Sequence, residues 1–205
     1  MIDFHSHILP GVDDGADDMN ESIAMARALQ AAGFETIHCT PHLIKGCFDA
    51  DNRMILSAVS SFQSRLNEEN IALEILPGRE YYLDEFLDNH LMEPMPLGGT
   101  PFIMIEIPNN APEDFVKESC FKIKRSGFIP MIAHPERCRL FAASAKNKTS
   151  RHWFPGGENK NPEPDNETTA LMDYLQDIGC AFQGNFGSFQ GMYGPDVQHT
   201  ANLLK

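Results

Sequence analysis

Short apolar segments alternate with amphipathic segments along most of the 205-residue chain. The apolar segments have the length of buried strands. The amphipathic segments repeat apolar residues at helical spacing, as Ile55, Val59, Phe62 and Leu66 do in steps of four, three and four. Six strand-then-helix units follow one another in this way, which predicts an α/β fold with a parallel sheet.

The predicted strands comprise residues 2–4, 36–40, 72–76, 102–107, 128–133 and 180–183. Helices are predicted at 17–32, around 55–66, at 84–91, around 116–123, around 171–178 and around 197–204. Asp18 and Glu21 have capping-box spacing at the start of the first helix. The pattern stops at about 142–166, where Lys, Asn, Pro and Gly are frequent. We expect a single domain over 1–205 with an inserted loop there, either a solvated insertion or a lid over the site.

Polar side chains lie at or just after the carboxyl ends of the predicted strands. A doubly wound sheet gathers its site at one switch point, whereas a barrel gathers it from all strand ends around one rim. The spread of these side chains over five strands therefore favours a barrel. They are His5, His7, His42, Glu80, Glu106 and His134.

These residue types are metal ligands. His5 and His7 follow an extended segment, in which residues two apart point to the same side, so both imidazoles can reach one ion. Glu106 lies in an apolar strand, where a carboxylate without a partner is costly to bury. The loop after His7 adds Asp14 as a ligand, with Asp13 as the alternative. Imidazole and carboxylate without thiolate suit manganese, iron, zinc or magnesium.

Seven ligands of this kind imply at least two cations. Two cations about 3.5–4 Å apart are the usual apparatus of phosphoester hydrolysis. A competing phosphatase motif, the C-x5-R spacing of Cys47 and Arg53, is set aside because its loop has no glycine and carries two aspartates where phosphate would sit. Asp196 and His199 on the last predicted helix are interpreted as a surface pair.

The composition argues against a nucleic-acid-binding, a membrane-spanning and a disulfide-rich protein. Lys and Arg number 16 against 29 Asp and Glu, a net charge of −13 that repels nucleic acid. No apolar run approaches the roughly 20 residues of a spanning helix. The N-terminus lacks a basic segment followed by an apolar one, so we expect no signal peptide, no membrane insertion and a cytoplasmic location. Five scattered cysteines without a C-x-x-C pair predict reduced thiols.

Several motifs together resemble the PHP (polymerase and histidinol phosphatase) superfamily, and more narrowly its bacterial branch of manganese-dependent protein-tyrosine phosphatases of capsule and exopolysaccharide synthesis. In chain order these motifs are H-S-H-I-L-P-G-V-D-D-G-A, T-P-H, P-G-R-E-Y, E-I-P and A-H-P-E-R. The resemblance runs from Met1 to about Cys138 and resumes weakly from Phe182 to Leu204. It implies a distorted TIM-like (β/α)7 barrel with two to three ions, Mn²⁺ before Fe, Zn or Mg.

The resemblance also assigns roles. His5 and His7 would hold one metal, Glu80 would bridge it to a second that Glu106 and His134 also hold, and Asp14 and His42 would contribute to a third. Glu80, Glu106, His134 and Arg137 would be catalytic, with Arg137 contacting substrate phosphate. Family members end in a strand with Asp-x-His, which is not found here, so the last barrel unit is expected to be absent or incomplete.

The resemblance implies a protein-tyrosine-phosphate phosphatase whose partner is the tail of a bacterial tyrosine kinase. Two alternatives stay open: a small-molecule phosphatase of the histidinol-phosphatase type, and a truncated, non-catalytic PHP-fold binding protein. Homo-oligomerisation is also left open.

Overall fold

Parallel strands flanked by helices form the protein in a computed structural model that describes residues 1–141 and 166–204. One sheet has three strands in the order β1-β2-β4, and the other has five in the order β3-β5-β6-β7-β8. The strands are β1 (Ile2–Ser6), β2 (Thr36–Cys39), β3 (His42–Leu43), β4 (Glu74–Pro77), β5 (Glu80–Tyr82), β6 (Phe102–Glu106), β7 (Ile129–Ala133) and β8 (Ala181–Gln183).

Two pairs of strands follow each other almost without interruption. Two residues separate β2 from β3, and two separate β4 from β5. Pro41 lacks the N–H that would continue the first ladder. Gly78 allows a close approach, since a Cβ there would lie 2.7 Å from Leu97 Cδ2. Beyond both breaks the strands pair again, with His42 opposite Glu80, so two candidate ligands become direct neighbours.

The helices are amphipathic, and their ends follow local signals. Asp18 caps α1 by accepting hydrogen bonds from the backbone N–H groups of Asn20 and Glu21. In α2, the four apolar residues spaced at helical intervals are all buried. The helices are α1 (Met19–Ala31), α2 (Asn52–Glu68), α3 (Leu87–His90), α4 (Glu113–Arg125), α5 (Asn166–Asp177), α6 (Phe186–Phe189) and α7 (Pro195–Leu203), with 3₁₀ turns at Leu97–Gly99 and Pro135–Arg137.

Two large apolar clusters fix the sheets against the helices. The first joins α1 and α2 to β2 and β4, with Phe62, Ile37 and Ile75 at its centre. The second joins α4 and α5 to β5, β6 and β7 and includes Ile105 and Ile132. Burial of each such side chain contributes about 1.5–3 kcal/mol. Both clusters leave the carboxyl ends of the strands free for polar side chains.

The predicted α/β class with parallel strands is confirmed. Each of the six predicted strands overlaps an observed one, but β3, β5 and the short helix α6 were not predicted. The predicted insertion at 142–166 lies, except for its last residue, outside the described residues. Within 1–141 and 166–204, no helix combines the length and the apolar character needed to cross a membrane.

Candidate metal centre

The carboxylate of Glu80 lies at the centre of a group of imidazoles. Its side chain is fully buried at the start of β5. Oε2 is 3.1 Å from His5 Nε2, 3.1 Å from His7 Nε2 and 3.2 Å from His42 Nδ1. Oε1 is 3.0 Å from His134 Nε2. Three strands, β1, β3 and β7, or the segments directly after them thus direct imidazole nitrogens at the one carboxylate on β5.

The outer nitrogens of His5 and His7 show which ring atoms are free to bind a cation. His5 Nδ1 is 2.7 Å from Gln183 Oε1, and His7 Nδ1 is 2.6 Å from Asp13 Oδ2. Both oxygens can only accept, so each Nδ1 donates its proton outward. In the neutral rings each Nε2 then carries a lone pair, and the two Nε2 atoms are 3.1 Å apart beside the Glu80 oxygen. Such converging lone pairs repel one another unless a proton or a cation lies between them.

The pKa values of His7 and Glu80 are shifted because these polar atoms lie so close together. Burial of the His7 ring disfavours its charged form, but hydrogen bonds to Asp13 and Glu80 outweigh burial and raise the pKa of His7 from 6.5 to about 10. Burial would raise the pKa of Glu80, but hydrogen bonds from His134, His5 and His7 hold it well below its usual range. Without a cation, a proton on His7 relieves the repulsion.

His42 belongs to two further groups of ligand atoms. Its Nε2 lies 3.6 Å from Asp14 Oδ1, and its Nδ1 lies 3.7 Å from Glu106 Oε2. That Nδ1 is buried and makes no hydrogen bond to any described residue. A buried polar atom of this kind usually has a partner. Among residues 1–141 and 166–204, donor atoms lie within 4.8 Å of one another in three groups, which are His5–His7–Glu80, His7–Asp14–His42 and His42–Glu80–Glu106.

Asp13 and Asp14 have different positions. The Asp13 side chain is 1% exposed and accepts hydrogen bonds from His7 Nδ1 and from the backbone N–H groups of His42 (2.9 Å) and Gly15 (3.1 Å). Burial would raise the pKa of Asp13, but the bond to His7 lowers it below 3.8. The Asp14 side chain is 63% exposed and belongs to the second ligand group. Asp13 therefore holds the His7 ring and the backbone at His42 in place, and Asp14 lies where a candidate ligand would be exposed to the cavity.

The loop that carries the two aspartates packs tightly against His7. A Cβ at Gly15 would lie 2.0 Å from the His7 carbonyl oxygen and 2.5 Å from its Cβ. The Ala16 N–H donates to the same carbonyl at 3.1 Å. Only glycine fits this approach, so it fixes the loop over the ligands.

His134 and Gln183 hold the opposite side of the centre. His134 has a φ of 30°, a left-handed conformation that is uncommon for residues other than glycine and that recurs at active sites. Its N–H points to Gln183 Oε1 at 3.5 Å, the oxygen that also accepts from His5. Gln183 thus links the ends of the first and last strands.

A cavity of about 810 Å³ opens over these ligands. Four acidic side chains line it: Asp3, Asp14, Glu80 and Glu106. Among the residues described, Arg137 is the only Lys or Arg in the lining, and its guanidinium lies over the ring of Tyr193, 5.2 Å from the ring centroid. An anionic substrate would meet strong repulsion here unless bound cations reverse the field.

The structure brings together all seven predicted ligands, and Arg137 lines the same cavity. Arg79 does not pair with Glu80: it is buried and donates to Asn52 Oδ1 and the Ala50 carbonyl oxygen. Sequence reasoning missed Gln183 as part of the site, although it ends a strand as the ligands do. It also missed Glu136, which is buried and accepts from Asn185 N and Ser188 Oγ.

The residues present fit divalent cations. Two lone-pair nitrogens and one carboxylate oxygen converge, and the buried Nδ1 of His42 lacks a hydrogen-bond partner among the described residues. The outward hydrogen bonds from His5 and His7 are the usual support of metal-bound imidazoles. Nitrogen and oxygen donors without thiolate suit Mn²⁺, Fe²⁺, Zn²⁺ or Mg²⁺. Fold and site together define a parallel α/β protein with a candidate centre for more than one metal ion.

Comparisons with known proteins identify the family. The model for "Capsular polysaccharide synthesis, CpsB/CapC" matches residues 1–150. The chain therefore belongs to the CpsB/CapC family of capsular polysaccharide synthesis proteins, and the predicted resemblance is confirmed.

Relatives in this family are tyrosine-protein phosphatases. The tyrosine-protein phosphatase YwqE of Bacillus subtilis (strain 168) is 32% identical over 200 residues, which are 97% of this chain and 69% of YwqE. CpsB of Streptococcus agalactiae is 30% identical over 139 residues, which are 67% of this chain and 57% of CpsB.

A solved structure also matches the whole chain. It comes from work on YwqE of B. subtilis and CpsB of Streptococcus pneumoniae, described as "unique metal-dependent tyrosine phosphatases". The TM-score is 0.79 with 32% identity, over 100% of this chain and 73% of the other.

Proposed function

We propose that the chain is a metal-dependent phosphomonoesterase that removes phosphate from phosphotyrosine in proteins of capsular or exopolysaccharide synthesis. The observation that carries the proposal is the convergence of four imidazole nitrogens on Glu80, 3.0–3.2 Å from its oxygens. Membership of the CpsB/CapC family supports the same activity. The tail of a tyrosine kinase is the proposed protein substrate.

Two to three cations, Mn²⁺ first, are proposed to occupy the three ligand groups. When bound, such cations lower the pKa of water and neutralise phosphate oxygens. The groups supply His5, His7, Asp14, His42, Glu80 and Glu106 as ligands. His134, whose Nε2 is 3.0 Å from Glu80 Oε1, is proposed as a further ligand beside them. Gln183 and Asp13 keep the binding nitrogens of His5 and His7 free of protons by accepting the proton of the other ring nitrogen.

Arg137 is proposed to bind the substrate phosphate. It lines the cavity at the exposed end of the 3₁₀ turn that follows His134. A guanidinium can donate two parallel hydrogen bonds to phosphate, which both fixes the group and stabilises its charge. Glu80, Glu106 and His134 complete the proposed catalytic set.

We also infer that the two sheets form a distorted barrel in one domain. Each break between β2 and β3 and between β4 and β5 covers only two residues, so each pair can be one interrupted strand. The Gln183–His5 hydrogen bond joins the last strand to the first. The cytoplasmic location expected from the sequence stays a prediction.

Metal analysis and kinetics test the proposed function. After dialysis against Mn²⁺, elemental analysis should give at least two ions per chain, and a phosphotyrosine peptide should be hydrolysed faster than histidinol phosphate. Glu80→Gln should lose both bound metal and activity while its circular dichroism spectrum stays native. Glu118→Gln changes an exposed acid on α4 and is the matched control.

Each alternative has its own outcome. Faster hydrolysis of histidinol phosphate would favour the small-molecule phosphatase. Less than one ion per chain, with no hydrolysis of either substrate in excess Mn²⁺, would favour a non-catalytic binding protein. Equal activity of Glu80→Gln and the unmodified chain would refute the role of the metal centre.

A further inference from the structure

Two large aromatic side chains lie exposed in the wall of the cavity that holds the ligands. The Phe186 residue is 76% exposed and Tyr193 is 49% exposed, and both line the cavity together with Arg137. Single exposed apolar residues are common, but grouped exposed apolar side chains mark ligand-binding surfaces, and these two rings line the same cavity as the candidate metal ligands. We call these two residues the aromatic wall.

The aromatic wall is held to the metal centre by a chain of hydrogen bonds. Gln183, which accepts from His5, donates to Asn185 Oδ1 at 3.1 Å. The buried Glu136 accepts from Asn185 N at 3.0 Å and from Ser188 Oγ at 2.7 Å, on either side of Phe186. The position of Phe186 is therefore coupled to the ligands rather than set by a free loop.

Close packing fixes the second ring. A Cβ at Gly187 would lie 3.0 Å from Met192 Sδ and 3.2 Å from Tyr193 Cε2, so the chain at Gly187 runs directly against Tyr193. Arg137 also packs against Tyr193, with its guanidinium over the face of the ring. The group proposed to bind phosphate and the aromatic wall are thus in contact.

We propose that the aromatic wall binds the aromatic ring of the substrate and makes the enzyme selective for aryl over alkyl phosphates; this rests on the proposed function. If Arg137 and the cations hold the phosphate group, the organic part of the substrate lies in the outer part of the cavity. The phenol ring of phosphotyrosine can there pack against Phe186 in offset or edge-to-face contact. A cavity of about 810 Å³ accommodates such a side chain and its neighbouring residues.

The aromatic wall offers apolar surface, whereas the inner cavity is acidic. These two surfaces together favour a ligand that carries both a phosphate group and an aromatic ring. An alkyl phosphate would gain only the contacts to its phosphate. An aryl phosphate would also remove the apolar surface of Phe186 from water, which is worth about a tenfold change in affinity. Tyrosine phosphate combines the anion that the inner site binds with the ring that the outer wall binds.

Binding of two phosphonates that cannot be hydrolysed tests the proposal directly. Dissociation constants for phenylphosphonate and methylphosphonate are measured by isothermal titration calorimetry with the Mn²⁺-loaded chain and with Mn²⁺-loaded Phe186→Ala. We expect Phe186→Ala to weaken phenylphosphonate about tenfold and to leave methylphosphonate unchanged. Phe121→Ala, which removes a 47% exposed ring on α4 outside the cavity, is the matched control and should change neither constant.

Tyr193→Phe keeps the ring over Arg137 and should keep the selectivity, whereas Tyr193→Ala should weaken phenylphosphonate. Equal weakening of both phosphonates by Phe186→Ala, or no weakening, would overturn the proposal. A dimer in sedimentation velocity that Phe186→Ala dissociates, with both constants unchanged, would assign the wall to contact between copies and also overturn it. Selective phenylphosphonate binding without hydrolysis of phosphotyrosine would instead refute the proposed function alone.

Discussion

Asp13→Asn tests whether Asp13 orients the metal ligands or binds metal itself. The carboxylate accepts three hydrogen bonds, the shortest at 2.6 Å from His7 Nδ1. An asparagine of the same shape can turn its oxygen to His7 and His42, but its amide group then faces the Gly15 N–H, and two donors oppose each other. The negative charge that sets the His7 tautomer is also lost.

The expected loss can be bounded. Removal of an outer partner of a metal-binding histidine lowers metal affinity about 10–100-fold, or ~1.4–2.8 kcal/mol. Isothermal titration with Mn²⁺ should therefore show weaker binding with an unchanged number of ions. In the metal-free chain, the lost bonds to a charged group should lower the free energy of unfolding by about 1.5–3 kcal/mol.

The stability difference should depend on pH in a defined way. The pKa of His7 is raised from 6.5 to about 10, so its contribution is fully present below pH 6.5 and is lost as the pH rises through about 10. The pKa of Asp13 is lowered from 3.8, so its contribution is present above that value and is lost as the pH falls below it. Without metal, the free energies of unfolding of the unmodified chain and of Asp13→Asn should thus differ most between pH 3.8 and pH 6.5.

Asp14→Asn is the comparison variant for the titration. It should reduce the number of bound ions, because Asp14 lies in the second ligand group rather than behind a ligand. The reasoning fails if Asp13→Asn instead loses an ion and Asp14→Asn keeps the full number, since the two aspartates would then have exchanged roles. Unchanged affinity in Asp13→Asn would also refute it.

Two further substitutions test the loop and the mechanism. Gly15→Ala would place a Cβ 2.0 Å from the His7 carbonyl oxygen, so it should cost about 1–3 kcal/mol of stability and weaken Mn²⁺ binding. Gly46→Ala, whose Cβ would have no atom of a described residue within 4 Å, should leave Mn²⁺ binding unchanged, and equal metal affinity in both variants would contradict the argument. Cys47→Ser should leave kcat/KM for a phosphotyrosine peptide unchanged, because the exposed Cys47 belongs to none of the ligand groups found among the described residues; a loss of activity would refute the proposed metal-based mechanism.

The candidate ligands were predictable because each lies at or shortly after the carboxyl end of a predicted strand, and parallel strands place their carboxyl ends together. Glu106 and His134 were the clearest candidate ligands, because a charged or polar side chain among apolar neighbours is costly to bury without a partner. The strands β3 and β5 were not predictable, because two or three residues are too short to show an alternating pattern.

Other parts of the site depend on conformation that sequence spacing does not determine. Asp13 and Asp14 are adjacent and of the same type, and only the loop held at Gly15 separates the buried position from the exposed one. Gln183 is neutral, so its position at the end of a strand did not indicate a metal ligand or a catalytic group. The contact between Arg137 and Tyr193 joins residues far apart in sequence.

The two breaks at Thr40–Pro41 and Gly78–Arg79 have a consequence for how the protein tolerates change. Successive strand residues point to opposite faces, and each break restarts this alternation just before His42 and Glu80. An insertion or deletion of one residue in either break would turn a ligand to the wrong face while the apolar pairing of β2 with β4 stays intact. Natural variation must therefore preserve the length of both breaks, in addition to the small residue at Gly78.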